Sequence, residues 1–243
     1  MRSHFNGRPP DRPSQGAMAA KRTLDIVLSV AGLLLLLPVL AVVAVIITLD
    51  NRGPIFFRQE RVGQGGRSFR IYKFRTMVVG AERAGTALTV RADPRITRAG
   101  AFLRRTKLDE LPQFINVLLG DMSIVGPRPE VPEFMKLYAP DQRAIILAMR
   151  PGITDYAAIL FRDESSLLSG KRNPIDVYQR VIMPAKFACY ERYSREIGML
   201  NDLRIIAATT LLLVTGRIPH WLGIEYRLPV AGLGSTSETE IHP

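Results

Sequence analysis

Ile26-Val-Leu-Ser-Val-Ala-Gly-Leu-Leu-Leu-Leu-Leu-Pro-Val-Leu-Ala-Val-Val-Ala-Val-Ile-Ile-Thr-Leu49 runs for 24 residues without a charge, and only Ser29 and Thr48 among them have polar side chains. As one straight helix it would rise about 36 Å at 1.5 Å per residue, enough to cross a hydrocarbon core of about 30 Å. Pro38 stands in the middle, where it removes a helical hydrogen bond and crowds the carbonyl of Leu34, so a kink or break is expected there. Both flanks are basic: Arg2, Arg8, Arg12, Lys21 and Arg22 precede the run, and Arg52, Arg58, Arg61, Arg67 and Arg70 follow it. Lys and Arg beside membrane segments favour the cytoplasmic side, so flanks of one sign point to a re-entrant helix that enters and returns, broken at Pro38. A single-pass helix with a tolerated proline kink is the other reading of the same composition. A secretory signal fits less well, because its apolar core would be shorter and followed by small residues, not by Asp50-Asn51-Arg52.

Working outward, the 243 residues leave room for one globular unit beside this segment. Between Arg52 and Lys107 there are 14 Lys or Arg against three acids, which accounts for the whole formal excess of +11. Such a block attracts anionic lipid, nucleic acid or a phosphorylated small molecule, and its place directly after a membrane segment favours the first and third. The three histidines, His4, His220 and His242, lie near the ends, which argues against a central zinc site or a His-activated nucleophile and leaves carboxylates as the expected catalysts. The lone Cys189 reads as a buried structural thiol. The Arg-, Pro- and Gly-rich residues 1–20 and the tail 228–243 are expected to be disordered, and Met18 is an alternative start.

Gly63, Gly65 and Gly66 mark a turn leading into a strand from Ser68 to Met77, whose alternation sets Lys73 and Arg75 on one face. That pair could grip a diphosphate or be a solvated strand face. Arg95 to Lys107 interleaves basic and apolar residues like an interfacial helix. Next comes Lys107-Leu-Asp-Glu-Leu-Pro-Gln-Phe-Ile-Asn-Val-Leu-Leu-Gly120, with Leu111, Phe114, Ile115, Leu118 and Leu119 at amphipathic spacing. It puts Asp109 at or near the helix N-cap with Glu110 beside it, and Asp109, Gln113 and Asn116 on the polar side. Two acids there serve as cap and dipole partner, or, after so many cations, hold a divalent metal and a diphosphate. Downstream, Gly126-Pro-Arg-Pro129 displays Arg128 from a stiff turn, Arg150-Pro-Gly-Ile-Thr154 is a second such turn, and two helices are expected between Tyr178 and Leu213.

Taken in order and spacing, Gly53-Pro-Ile-Phe-Phe-Arg-Gln-Glu-Arg-Val-Gly63, Lys73-Phe-Arg-Thr-Met77, Leu108-Asp-Glu-Leu-Pro-Gln113, Asn116-Val-Leu-Leu-Gly-Asp-Met-Ser123, Gly126-Pro-Arg-Pro129 and Pro151-Gly-Ile-Thr154 resemble the bacterial sugar transferases, the monotopic phosphoglycosyl transferases, from about Lys21 to Val214. The resemblance implies an α+β, mostly helical chain: a re-entrant membrane helix over 21–50, then a membrane-interface catalytic domain over 51–227 with a short β-hairpin and amphipathic helices. It implies transfer of a phosphosugar from a UDP-sugar to polyprenyl (undecaprenyl) phosphate with magnesium, at the cytoplasmic face of the bacterial inner membrane. In such a reaction Asp109 looks like the nucleophile and Glu110 its partner, both able to hold the metal, with Lys73, Arg104 and Arg128 around the phosphates. It also implies the small form, without a preceding multi-helix membrane domain. Where the family often has Ser before the breaking proline, this chain has Leu37. The expected partners are the membrane and the two substrates, not nucleic acid, with self-association left open. The rival readings are a metal-dependent glycosyltransferase without a covalent step, which would release UDP instead of UMP, and a non-enzymatic basic membrane adaptor.

Overall fold

The computed structural model describes residues 14–84, 89, 93–169 and 173–224, so most of the expected N-terminal segment and the tail 228–243 lie outside the described residues. Helix α1 (Gln15–Asp50) opens on Ser14, whose hydroxyl accepts from the Ala17 N–H at 3.2 Å. It therefore begins inside the span expected to be disordered, because a capped first turn leads straight to the buried Lys21. Pro38 stands inside the helix and does not end it. The residues around it face outward, with Leu34 70% and Leu35 80% exposed. The two ends are held by the same domain. Lys21, Asp25 and Ser29 are buried at one end, while Val43 and Ile47 at the other pack with Phe74 and Leu103.

Next comes an antiparallel hairpin of β1 (Phe56–Val62) and β2 (Ser68–Phe74), paired from Phe56↔Phe74 to Val62↔Ser68. The expected turn contracts to Gly63–Arg67, closed by Gly63 N–H donating to Arg67 O at 2.7 Å, with Gly65 and Gly66 at φ 67° and 80°. Strand β2 stops at Phe74 rather than Met77, and Met77 makes an isolated bridge to Ile96. Helix α2 (Arg98–Thr106) is capped by Thr97, whose hydroxyl accepts from the Gly100 N–H at 3.0 Å.

Helix α3 (Gln113–Leu119) corrects the simple amphipathic reading. Its polar side faces inward: Gln113 and Asn116 are buried, while Leu119 is 65% exposed. Asn116 satisfies itself on the open edge of the hairpin, accepting from Tyr72 N–H at 2.8 Å and donating to Arg70 O at 3.0 Å. Phe114 on the apolar side lies against Gly32 of α1, so that side faces the apolar helix, not the domain centre.

The centre is a two-stranded parallel pair, β3 (Ser123–Val125) and β4 (Gly152–Thr154), in register Ser123↔Gly152. Between them run α4 (Pro132–Met135) and α5 (Pro140–Ala148), and after them α6 (Tyr156–Leu160), α7 (Glu164–Leu168) and α8 (Pro174–Val177). A π-turn over Tyr178–Ile182 leads into α9 (Met183–Arg195), followed by α10 (Met199–Thr215), the two expected helices. Tyr156, Tyr190, Tyr193 and Ile205 fill the core around the parallel pair, and Cys189 is buried and free, as expected.

The turns that follow β3 and precede β4 interlock through glycine. A Cβ on Gly126 would sit 2.3 Å from Arg150 O, and one on Gly152 would sit 2.1 Å from Gly126 N. Gly152→Ala should therefore force two backbones apart, at an overpacking cost of about 1 to 3 kcal/mol or more. For a domain of this size each kcal/mol lowers the melting temperature by about 2 to 4 °C. Gly16→Ala, with nothing within 4 Å of the new carbon, is the control and should not lower it. Equal melting of the two variants would refute the interlock.

Candidate active site

Three elements converge on the Asp109–Glu110 pair. Helix α2 ends at Lys107, which takes the left-handed conformation (φ 59°), unique to it among the described non-glycine residues, and turns the chain into a 3-10 turn over Leu108–Glu110. The N-cap expectation for Asp109 does not hold in detail. Pro112 occupies the cap position of α3, and the helix starts at Gln113, four residues beyond the acid. The left-handed Lys107 breaks the helical path and leaves Asp109 to point inward, where it is 7% exposed. Asp109 Oδ1 is buried without a hydrogen-bond partner.

Glu110 is by contrast fully engaged. Its Oε1 accepts from Lys73 Nζ at 2.9 Å and Arg128 Nη2 at 2.7 Å, and its Oε2 accepts from Arg128 Nη1 at 3.3 Å. Burial alone would raise the Glu110 carboxyl, but the charges of Arg128 and Lys73, with the Arg128 hydrogen bond, hold it well below the usual carboxylate range. Asp109 moves the other way, raised by burial and by the neighbouring Glu110 charge. Burial lowers Lys73 to about 8 despite Glu110 beside it, while the Glu110 charge keeps Arg128 firmly protonated. The two adjacent acids are thus pushed apart: Glu110 is held toward its charged form, and Asp109 is a buried carboxyl group with a free oxygen.

Arg104 reaches the same site from α2. Its Nε donates to Thr76 Oγ1 at 2.8 Å, and burial lowers its pKa against the opposing pull of Asp109. The helix approaches this closely because Gly100 lies on the Thr76 backbone, where a Cβ would come within 2.0 Å of Thr76 O. Arg75 is not brought to the pair. The alternation that grouped it with Lys73 ends with β2 at Phe74, and its guanidinium turns to the end of α1, donating to Asn51 Oδ1 at 3.1 Å, to Asn51 O and to Arg52 O at 3.3 Å.

The pair opens into a cavity of about 1880 Å³, lined also by Arg61, Phe114, Arg128, Glu164 and Lys186. That exceeds the roughly 300 to 1,000 Å³ of a single small-molecule pocket and leaves space for two substrates. Its far side holds charged groups that motif reading missed: Lys186 pairs with Glu164 at 2.5 Å, and the Tyr178 hydroxyl donates to Glu130 at 3.1 Å. Lys186 sits in a helix whose other cations are solvated, and no local sequence signal separates it from them. Among the described residues no three His, Cys, Asp or Glu cluster as a metal cage. Magnesium needs less, because it commonly uses one or two carboxylates together with substrate phosphates and water. The unpartnered Asp109 Oδ1 suits such an ion, whereas both Glu110 oxygens are already engaged by cations.

Comparison with known proteins finds relatives over most of the chain. The chain is 38% identical over 209 residues to the exopolysaccharide production protein PSS of Rhizobium leguminosarum bv. phaseoli, covering 80% of this chain and 94% of that one. It is 39% identical over 202 residues to the UDP-glucose:undecaprenyl-phosphate glucose-1-phosphate transferase of Escherichia coli, covering 82% of this chain but 41% of the relative. With the galactosyl transferase CpsE of Streptococcus agalactiae it shares 37% identity over 214 residues, 82% of this chain and 43% of the relative. The chain thus spans less than half the length of the last two. The family model described as bacterial sugar transferase matches residues 16–216, a stretch holding the apolar helix, the hairpin, both acids and both interlocked turns, and the chain belongs to that family.

Proposed function

We propose that this protein is a phosphoglycosyl transferase that moves a phosphosugar from a UDP-sugar to undecaprenyl phosphate, giving a polyprenyl-diphosphate-sugar and UMP. This is the first membrane step of a surface glycan such as an exopolysaccharide, capsule or O-antigen. The observation that carries the reading is the pairing of the unpartnered, buried Asp109 with a Glu110 clamped by Lys73 and Arg128, both in the wall of one large cavity. The named activities of the relatives from Escherichia coli and Klebsiella pneumoniae support it.

An ionised carboxylate needs no general base. Asp109 attacks the phosphorus that bears the sugar. A carboxylate-oxygen–phosphorus bond forms, the bond to the bridging oxygen breaks, and UMP leaves with that oxygen. The lipid phosphate then attacks the same phosphorus, and Asp109 departs as free carboxylate. Repulsion between Asp109 and the diphosphate is the obstacle. Lys73, Arg104 and Arg128 offset it, and magnesium held beside Asp109 would add positive charge at the phosphates.

Helix α1 supports this reading of the membrane pose. Its two ends rest on one domain while the leucines around Pro38 stand free, which suits a re-entrant helix that dips into the cytoplasmic leaflet of the inner membrane. The lipid keeps its tail in the bilayer, and a site anchored beside the headgroups spares its extraction at about 0.8 kcal/mol per CH₂.

Three outcomes test this reading. With sugar-labelled donor and no acceptor, the peptide holding Asp109 should gain one label, release UMP and lose the label to undecaprenyl phosphate. Asp109→Asn should do none of this, and release of UMP only when both substrates are present would rule out the covalent step. Lys73 loses its charge as pH rises through about 8, so kcat/KM for the donor should fall on that alkaline side. Lys73→Arg, with a pKa above about 12, should move that limb out of range, and an unmoved limb would assign it to another group. With Cys189→Ser, single cysteines at Gly16 and at the exposed Pro54 should both be labelled from the cytoplasmic side alone, whereas labelling from opposite sides means a spanning helix.

A further inference from the structure

The buried charges at the start of α1 take no part in the chemistry above, yet they grip the strand that delivers Arg128. Asp25 Oδ1 accepts from the Ile124 N–H at 3.0 Å and the Ser123 hydroxyl at 3.1 Å. One turn earlier, Lys21 Nζ donates to Val125 O at 3.0 Å and pairs with Asp202 of α10 at 2.5 Å, and Asp202 in turn accepts from the Tyr193 hydroxyl at 2.7 Å. Every residue of β3 is thus tied to α1. The chain beyond β3 has little freedom: Gly126 N–H donates to Thr154 O at 3.0 Å, Gly152 N–H donates to Pro127 O at 3.0 Å, and prolines flank Arg128 on both sides. A shift of β3 therefore reaches the guanidinium with little loss, three residues past Val125.

We propose that Asp25 and Lys21 of the apolar helix are positioning residues for Arg128, holding β3 so that the guanidinium meets Glu110 and the donor diphosphate. The proposal rests on the functional reading of the Glu110 clamp. The other end of the same helix makes the matching contact, since Arg75, two residues after Lys73, is tied to the carbonyls of Asn51 and Arg52. The two cations that clamp Glu110 thus lie beside segments fastened at opposite ends of α1: Lys73 two residues before Arg75, which ties to the residues just past Asp50, and Arg128 in the turn after β3. The seating of the membrane helix thereby sets their separation. A purely structural role for Asp25 would weaken the whole domain evenly, whereas this one acts on a single side chain.

The test uses the full chain in nanodiscs, with phenylglyoxal modification of arginines followed by mass spectrometry beside donor kinetics. In the wild type Arg128, clamped by Glu110, should react slowly and the exposed Arg98 quickly. Asp25→Ala should speed modification of Arg128 about tenfold, leave Arg98 unchanged, and lower kcat/KM roughly ten- to a hundredfold, the range expected for loss of one charge-assisted contact. Asp25→Asn, which keeps a carbonyl acceptor, should recover most of the loss. Asp25→Ala added to Arg128→Ala should cost almost nothing more. Should Asp25→Ala fail to fold, the paired change Lys21→Met with Asp202→Leu exchanges the buried ion pair for apolar packing, a change proteins often tolerate, and must give the same selective gain at Arg128. Unchanged Arg128 reactivity in a folded variant, or a full multiplicative loss on the Arg128→Ala background, would overturn the proposal. Failure of the wild type to release UMP from any UDP-sugar would defeat the functional reading instead, with the modification pattern still deciding the positioning claim.

Discussion

A carboxylate taken out of water loses several kcal/mol of hydration, and Glu110 keeps its charge only because two cations are delivered to it. Much of the fold follows from delivering them. The hairpin carries Lys73, the parallel pair and its proline-stiffened turn carry Arg128, and the turn after α2 carries the acid itself. None of the three elements makes a site alone. Once they meet, the charge of Glu110 is neutralised locally and the neighbouring Asp109 is left as the group with an oxygen to offer. The arrangement separates duties that a single acid could not combine: holding cations in place and leaving an oxygen unpartnered.

The proposed substrates would account for a charged clamp and an apolar helix in one domain. A diphosphate donor is soluble and polyanionic, whereas an undecaprenyl acceptor has its tail in the bilayer and its phosphate at the surface. The cavity is lined by Lys73, Arg104 and Arg128 and also by Phe114, which lies against Gly32 of α1, so the charged wall and the apolar helix share a neighbour. The basic block over 52–107 then has two uses. Lys73 and Arg104 turn inward to the site, and Arg98 remains on the outside, where anionic headgroups would attract it.

Much of this was legible in the amino-acid order, and the parts that were not share a cause. The apolar run, the hairpin glycines, the Asp109–Glu110 pair and the stiff Arg128 turn announce themselves locally, because proline, glycine and adjacent charges constrain a chain over a few residues. Arg75 was misplaced because period-2 reasoning assumes that a strand continues, and β2 ends one residue earlier. The inward face of α3 was hidden because hydrophobic periodicity assumes one apolar partner; here the helix lies between a polar strand edge and an apolar helix, and Asn116 satisfies the former. The Lys21–Asp202 pair could not be inferred at all, since nothing local relates residues 181 positions apart.

That separation also orders events in time. The ribosome adds about 5 to 20 residues per second, so Asp202 emerges roughly 10 to 40 s after Lys21. Throughout that interval the apolar helix exists and its charged N-terminal end lacks the carboxylate that will hold it. Lipid would be an available partner for the leucines around Pro38 until α10 closes over Lys21. A nascent helix that meets lipid early would therefore be seated there before Asp202 can close over Lys21.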